Sequence, residues 1–300
     1  MHTAILYLVL SLPLVGTYAL LGLGITVIYQ ASRVLNLAHG AMAMGAAFVA
    51  YQFSLWHLPT PLGLLAGIAS GCLLGVLLER VFMRRLRQAG PTAQTVGTVA
   101  ALTLSIALAS RVWGTLPVRE PRVIPVGAIK LFEGRVPFDL IGIFPIAIIG
   151  GAALFALFQF TDLGLAMRGA AQNRRGAALR GIDPDRTAAF AWILGGALAA
   201  LAGILLSAAT ELDPFSISLG VLPAFVAALI GGLDSLPGVC LGAVIVGVVQ
   251  GMVPALSGLP GIGTVVQGQG TPELALGVLA LVVMALRGIR LSTSEVRDAL

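Results

Sequence analysis

Long uncharged stretches alternate with short polar segments along this chain. No Asp, Glu, Lys or Arg occurs at positions 3–32, 34–78, 88–110, 140–161, 187–210, 214–233 or 235–272. A helix that crosses a bilayer needs about 20 apolar residues. Most of these stretches therefore have room for one membrane helix, and the longest have room for two.

The pattern predicts membrane segments at 5–29, 38–53, 62–82, 93–113, 140–160, 187–209, 218–232, 237–255 and 273–287. Because the segment at 218–232 is short for a full crossing, we expect it to be a broken or re-entrant helix. The expected fold class is all-α, a polytopic transmembrane helical bundle of roughly eight or nine membrane segments. The apolar N-terminus lacks the basic start of a signal peptide, so it is expected to remain as the first helix of one domain spanning 1–300.

The composition supports a membrane protein. Hydrophobic residues make up 58% of the chain, charged residues only 10%, and the mean hydropathy is +0.98. A soluble domain carries about 25% charged residues. A single compact core of this length could not bury so much apolar surface, so the lipid bilayer is the solvent that fits.

Most of the arginines are expected on one side of the bundle. They cluster after the third segment, between the fifth and sixth, and in the C-terminal tail: Arg80, Arg84, Arg85, Arg87, Arg168, Arg174, Arg175, Arg180, Arg186, Arg287, Arg290 and Arg297. Because cytoplasmic loops are enriched in Lys and Arg, this side is assigned to the cytoplasm, with the N-terminus outside and the C-terminus cytoplasmic. The proline-rich segment 114–139 is then an outer loop or hairpin, since its prolines disfavour a helix.

Several functions are excluded by what the sequence lacks. Lys130 is the only lysine, so no GxxxxGK[ST] phosphate loop exists and the chain has no ATPase site of its own. The three histidines form no HExxH motif, and Cys72 and Cys240 lie singly in apolar stretches. We expect no catalytic residue, no metal site and no cofactor in this chain. The net charge of +5 reflects topology, and no nucleic-acid partner is expected.

The polar segment 161–186 (TDLGLAMRGAAQNRRGAALRGIDPDR) is the most informative part of the sequence. Gly181 is a typical helix end, and Asp183 or Asp185 could cap the next helix. We therefore predict a short amphipathic helix along the inner face, marked by positions that recur at helical spacing: Gly164, Arg168, Ala171, Arg175 and Leu179. The spacing alone fits a membrane-surface helix that sets topology as well as it fits a docking helix for a cytoplasmic partner.

This segment resembles the cytoplasmic coupling loop of permease subunits of bacterial ABC importers, and specifically that of the branched-chain amino acid permease family. The matching positions are Thr161, Gly164, Ala166, Arg168 and Ala170, followed by Gly181, Ile182 and Arg186. Residues 22–51 and 225–251 look like the N-terminal and late signatures of the same family. The chain departs from the family pattern at Gly169, at 172–174 and after Arg287, which leaves the substrate open among branched-chain amino acids, related amino acids, urea and short amides.

The resemblance implies a permease subunit of an ATP-driven importer in the bacterial inner membrane. Its partners would be a related second permease subunit, two cytoplasmic ATP-binding subunits that hydrolyse ATP, and an extracytoplasmic substrate-binding protein. The residues implied in coupling to the ATPases are Gly164, Arg168, Gly169, Ala170, Asn173, Gly181 and Ile182. The alternative is a stand-alone channel or secondary transporter for a small neutral solute. A carrier of that kind usually has a carboxylate inside a span, and every Asp and Glu here is expected at a segment edge or in a loop.

A translocation path is predicted near two polar turns that each precede a short apolar helix, at 36–50 and 214–232. Broken helices at matching places would indicate a pathway near the membrane midplane. The candidate residues are Asn36, His39, Gly40, Gly231 and Gly232. Buried polar groups are costly in a membrane, so His39 is expected either to bond a freed backbone carbonyl or to line the path. Asp234 is expected in a turn or as a helix cap.

Overall fold

The computed structural model describes residues 2–118, 127–131, 134–258 and 270–298. Its helices are α1 (His2–Ser32), α2 (His39–Leu55), α3 (Thr60–Leu77), α4 (Pro91–Trp113), α5 (Phe138–Phe160), α6 (Asp162–Gln172), α7 (Arg174–Leu179), α8 (Pro184–Ala209), α9 (Pro214–Leu219), α10 (Val221–Gly231), α11 (Leu236–Met252) and α12 (Thr271–Asp298). A 3₁₀ turn, Val253–Gly258, follows α11. The described residues form an all-α bundle apart from one antiparallel hairpin, β1 (Ala128–Leu131) and β2 (Gly134–Pro137).

Helical stretches long and apolar enough to cross a membrane are found seven times in the described residues. They are Ala4–Ser32, Thr60–Ala89, Thr92–Trp113, Leu140–Phe160, Pro184–Ala209, Pro214–Gly231 and Leu236–Leu256. The predicted segments 38–53 and 273–287 are helical as well, but α2 has 17 residues, and the apolar part of α12, Thr271–Ala285, is a shorter helix. The protein is thus a multi-pass membrane protein with about seven clear spans.

The structure extends the third predicted segment, 62–82, beyond its predicted C-terminal end. The sequence predicted a loop that carries Arg80 to Arg87, whereas the helix continues from α3 through a π-helical turn, Leu78–Met83, and two short turns as far as Ala89. The arginines were taken as a sign of a loop, but a helix can carry charge past the membrane surface. Gly90, with φ of 91°, ends it and Pro91 starts α4.

The predicted break in 218–232 is confirmed, since α9 and α10 meet at Gly220. Pro223 lacks a backbone N–H, and its ring excludes a regular helix through the carbonyl of Leu219. Of the loop or hairpin predicted within 114–139, the structure shows a hairpin over the described strands, and an isolated bridge joins Val118 to Leu212 just beyond the end of α8. Residues 119–126 and 132–133 of that loop lie outside the described part.

The centre of the bundle is formed by α1 and α8, which pack on each other and on most of the remaining long helices. Small residues allow this packing. The buried positions of α3 are all glycines four residues apart: Gly63, Gly67, Gly71 and Gly75. A methyl group on Gly71 would lie 2.6 Å from Cβ of Ala200, and one on Gly203 would lie 2.6 Å from the carbonyl carbon of Ala43. Close backbone contact of this kind is how helices associate in lipid.

The bundle has two chemically different ends. We call one the arginine end; it holds the end of the long helix at 80–89, the segment 161–186 and the ion pair between Arg33 and Asp234. The other is the hairpin end, which holds the β1–β2 hairpin, the α2–α3 connection and the loop at 210–213. Two of the three predicted arginine clusters thus share one end. The side chains of the third cluster, in the C-terminal tail, lie outside the described part.

Candidate functional site

The segment 161–186 forms an elbow between α5 and α8 at the arginine end. Thr161 caps α6, its Oγ1 accepting from the N–H of Gly164 at 3.2 Å. Gly164 is buried against the last turn of α5, where a methyl group would lie 2.6 Å from the carbonyl oxygen of Leu157 and overlap that of Phe158. Only glycine fits this approach, so Gly164 sets the angle at which α6 leaves the membrane helix.

Arg168 fixes the same elbow from the next turn of α6. Its guanidinium donates to the carbonyl oxygen of Phe158, which belongs to the unpaired carbonyls at the end of α5. The inward face of α6 consists of Gly164, Met167 and Ala170, all of which are buried. The predicted face that ran through Arg168 and on to Leu179 is therefore wrong, because the helix does not continue that far.

Asn173 divides the predicted single helix into two. It has an extended backbone, with φ of −149° and ψ of 95°, and its side chain caps α7 by accepting from the N–H of Gly176 at 2.8 Å. Gly181, with φ of 80°, ends α7 as predicted. Asp183 then caps α8, accepting from the N–H groups of Asp185 at 2.9 Å and Arg186 at 3.3 Å. Of the two predicted caps, the structure uses Asp183.

The outer surface of the elbow mixes apolar and basic groups. Among the predicted coupling residues, Gly169, Asn173 and Gly181 are exposed, Arg168 and Ile182 are half-buried, and Gly164 and Ala170 are buried. Beside them the side chains of Leu165 and Leu179 are 62% and 90% exposed. The exposed surface around α6 and α7 is thus available to a partner, while the buried residues determine its shape.

Asp185 is the common acceptor of an ion network that sequence reasoning missed. It pairs with Arg87, with Arg174 at 2.7 Å and with Arg84 at 3.1 Å. Arg87 also pairs with Glu79, whose side chain is only 2% exposed. We call Glu79, Arg84, Arg87, Arg174 and Asp185 the Asp185 network. It ties the long α3 helix and α7 to the start of α8, so the elbow is fixed to two membrane helices.

A second polar group lies inside the bundle, where residues 33–38 enter between the helices. Asn36 and His39 are buried, and the Leu37 N–H donates to Thr98 Oγ1 at 3.2 Å. The His39 ring lies against Gly24, where a methyl group would be 2.7 Å from Nε2. Gly40 packs directly on the Ser218 carbonyl of α9. Three of the predicted path residues therefore come together where α2 begins, next to the broken helix.

Several polar atoms of this group have no hydrogen-bond partner among the described residues. They are Asn36 Oδ1, both ring nitrogens of His39 and Ser218 Oγ. The ring interacts with the backbone of Leu21, but not in hydrogen-bond geometry. Since buried polar groups in native proteins are nearly always satisfied, water or a passing solute is the natural partner here.

The other two predicted path residues do not belong to this group. Gly231 packs on Gly238 between α10 and α11, and Gly232, with φ of 90°, forms the turn that follows. Asp234 lies in that turn and pairs with Arg33 at 2.8 Å. The cap of α11 is Ser235, which accepts from the N–H of Gly238 at 3.1 Å. Of the two roles predicted for Asp234, a turn or a helix cap, the structure shows the turn.

A comparison with known proteins decides the family. The sequence profile described as branched-chain amino acid transport system / permease component matches residues 7–286. The chain belongs to this family. It is therefore the transmembrane permease component of an ABC transport system, and the residues that match form a permease domain and not an ATPase domain.

Relatives across bacteria and archaea extend this permease match. The high-affinity branched-chain amino acid transport system permease protein LivH of Salmonella typhimurium strain LT2 is 28% identical over 258 residues, which covers 80% of this chain and 82% of that protein. BraD of Pseudomonas aeruginosa is 28% identical over 260 residues, covering 81% and 84%. A probable LivH of Methanocaldococcus jannaschii is 27% identical over 274 residues, covering 88% and 84%. Among solved structures, PsaBC from Streptococcus pneumoniae in complex with Fab is similar over 91% of this chain and 89% of that one, at 16% identity and a TM-score of 0.48.

Proposed function

We propose that this permease forms, with a related second permease subunit, the membrane pathway of an ATP-driven importer for branched-chain or related small amino acids. Two cytoplasmic ATP-binding subunits hydrolyse the ATP, and an extracytoplasmic binding protein delivers the substrate. The observation that carries the proposal is the elbow at 161–186, whose exposed α6–α7 surface is fixed to α3 and α8 by the Asp185 network. A force applied to this surface reaches two membrane helices directly.

The arginine end is the cytoplasmic end in this proposal. Within the described residues it holds Arg33 and the arginines of 80–87 and 168–186, whereas the hairpin end holds Arg111, Lys130 and Arg135. Because basic residues accumulate on the cytoplasmic side, the N-terminus lies outside and the C-terminus in the cytoplasm. The same topology counts α2 and α12 as membrane segments, which makes roughly eight or nine in the bacterial cell membrane.

The predicted coupling residues have two roles in this proposal. Gly164, Arg168 and Ala170 give the elbow its shape, since they pack on or bond to the end of α5 and the helices beside it. Gly169, Asn173, Gly181 and Ile182 lie on or near the exposed side that meets an ATP-binding subunit. Substrate passes close to Asn36, His39 and Gly40, and the unpaired side-chain atoms of Asn36 and His39 can exchange hydrogen bonds with it.

The test is reconstitution of the complex in liposomes with its binding protein. We expect leucine uptake that requires both ATP and the binding protein, and that competing valine and isoleucine reduce. Arg168→Glu should uncouple ATP hydrolysis from uptake, because a carboxylate cannot donate to the Phe158 carbonyl, while membrane insertion persists. Uptake by the chain alone, without ATP, would instead identify a channel, and competition by urea or acetamide but not valine would identify an amide permease.

A further inference from the structure

A cavity of about 590 Å³ lies between α1, the broken helix α9–α10, α11 and α12. Its walls are mainly apolar, with Leu206, Val226 and Leu276 among the residues that line it. Five polar side chains also face it, and the last of them is exposed: Tyr18, Thr210, Ser216, Gln250 and Glu273. Asn36 and His39 do not line it, so this cavity is separate from the polar group where α2 begins.

Among the polar groups of the cavity, the amide nitrogen of Gln250 and the carboxylate of Glu273 are unused by the other described residues. The Tyr18 hydroxyl donates to Oε1 of Gln250 at 2.7 Å, which leaves the two N–H groups of the Gln250 amide available. Neither the amide nitrogen of Gln250 nor the carboxylate of Glu273 has a hydrogen-bond or ion-pair partner in the part of the chain that the structure describes. None of the described residues that line the cavity is an Arg, Lys or His that could neutralise Glu273.

A zwitterion with an apolar side chain is complementary to the carboxylate, the amide and the apolar walls of the cavity at the same time. Its ammonium pairs with the carboxylate of Glu273, its carboxylate accepts from the amide of Gln250, and its side chain contacts the apolar walls. An inorganic cation fits less well, because Ca²⁺ needs six or more oxygen ligands and Mg²⁺ needs six. The Oε1 of Gln250 is already used by Tyr18.

We infer that this cavity is a binding subsite for an apolar amino acid, with Glu273 as the ammonium acceptor and the Tyr18–Gln250 pair as the carboxylate donor. The inference rests on the proposed function and adds a place where substrate is held within one permease chain. Tyr18 acts as a positioning residue, since its hydrogen bond to Oε1 turns the amide N–H groups of Gln250 toward the cavity.

The experiment measures equilibrium binding of radiolabelled leucine to the purified complex in phosphatidylcholine nanodiscs without the binding protein. Glu273→Gln should weaken binding about tenfold or more, because a hydrogen bond to a charged group contributes about 1.5–3 kcal/mol. Tyr18→Phe should weaken it by a smaller factor, and the loss should be greater for leucine than for its decarboxylated amine. The control is Glu211→Gln, which removes an exposed acid at the same end that does not line the cavity, and which should leave leucine affinity unchanged.

Three results would overturn the inference. One is equal leucine affinity in the wild type and Glu273→Gln. Another is loss of wild-type leucine binding when phosphatidylethanolamine is added to the discs, which would identify a lipid ammonium as the occupant. The third is no measurable binding to a wild-type complex that still takes up leucine in liposomes, an outcome that leaves the proposed function standing and removes only the subsite.

Discussion

The acidic side chains at the two ends of the bundle differ in whether they form ion pairs. At the arginine end, Asp185 forms ion pairs with three arginines, and Glu79 is buried beside one of them. At the hairpin end, Glu273 lines a cavity without a cationic partner in the described residues. Charges that pair with one another stabilise a fixed geometry, whereas an exposed charge without a protein partner is available to a ligand. In the function that we propose, the arginine end provides the mechanical connection and the hairpin end provides recognition.

Loss of the buried acid should have the largest effect. Glu79→Ala removes the buried partner of Arg87 at the end of the α3 helix, and because Arg87 keeps Asp185 the cost is about 3 kcal/mol, the lower end of the range for breaking a buried ion pair. We expect a clear fall in the thermal stability of the purified permease, measured by the temperature at which it loses its monodisperse peak in detergent. A stability equal to that of the wild type would show that the Asp185 network does not fix the arginine end.

The elbow glycine should come next. Gly164→Ala forces α6 away from the carbonyls of α5, and overpacking of this kind costs about 1–3 kcal/mol. We expect fewer leucine molecules transported for each ATP hydrolysed, measured in liposomes that contain the whole complex.

Gly169→Ala is the matched control for the elbow, since nothing described lies within 4 Å of a methyl group at that position. It should leave the fold intact and raise thermal stability slightly, because alanine favours a helix over glycine by about 1 kcal/mol. Equal losses of stability in the two variants would contradict the role that the geometry assigns to Gly164.

Exposed leucines at the two ends of the bundle allow a matched test of which end binds the ATPase subunits. The side chain of Leu179, at the arginine end, is 90% exposed. Leu179→Asp should reduce the amount of ATPase subunit that co-purifies with the permease by about tenfold, since a single anchor residue of an interface can contribute more than 1 kcal/mol to binding. Leu116→Asp, at a side chain 80% exposed near the hairpin end, should leave co-purification unchanged. The reverse result would place the ATPases at the hairpin end and would invert the proposed topology.

The exposed pair at the arginine end should have the smallest effect. Arg33 and Asp234 pair at 2.8 Å, but their side chains are 51% and 72% exposed. Such a pair contributes about 0–1 kcal/mol because water and salt screen it. Asp234→Ala should therefore change thermal stability by much less than Glu79→Ala, and a comparable change would remove the distinction between buried and exposed charges.

Local features of the sequence predicted much of the fold. Uncharged stretches located the helices, the shortness of 218–232 indicated the broken one, and Asp183 was one of the two predicted caps of α8. Each of these signals acts over a few residues, so it can be read from the chain directly. The resemblance of the segment 161–186 to the coupling loop of a permease family allowed a function to be predicted as well as a structure.

Contacts between distant residues could not be predicted in the same way. Arg87 and Asp185 are 98 positions apart in the sequence, and Tyr18 and Gln250 are 232 positions apart. Because these partners are so distant, neither the Asp185 network nor the cavity produces a recognisable spacing of residues in the sequence. One local signal led to a wrong prediction, because the arginines after the third segment were taken to indicate a loop. Glu79 is the only acid among these arginines, and this arrangement is compatible with charge pairing along a helix.

The row of glycines on α3 has a consequence for how this helix can move. Residues four apart are about 6 Å apart along a helix axis, so each glycine presents the same smooth surface as the one before it. At Gly71 and Gly75 the backbone of α3 lies directly against α8, and at Gly67 the side chain of Ile204 meets it. A lengthwise shift of α3 past α8 is therefore opposed mainly by Ile204 and by the ion pairs of the Asp185 network, not by a row of interlocking side chains from both helices.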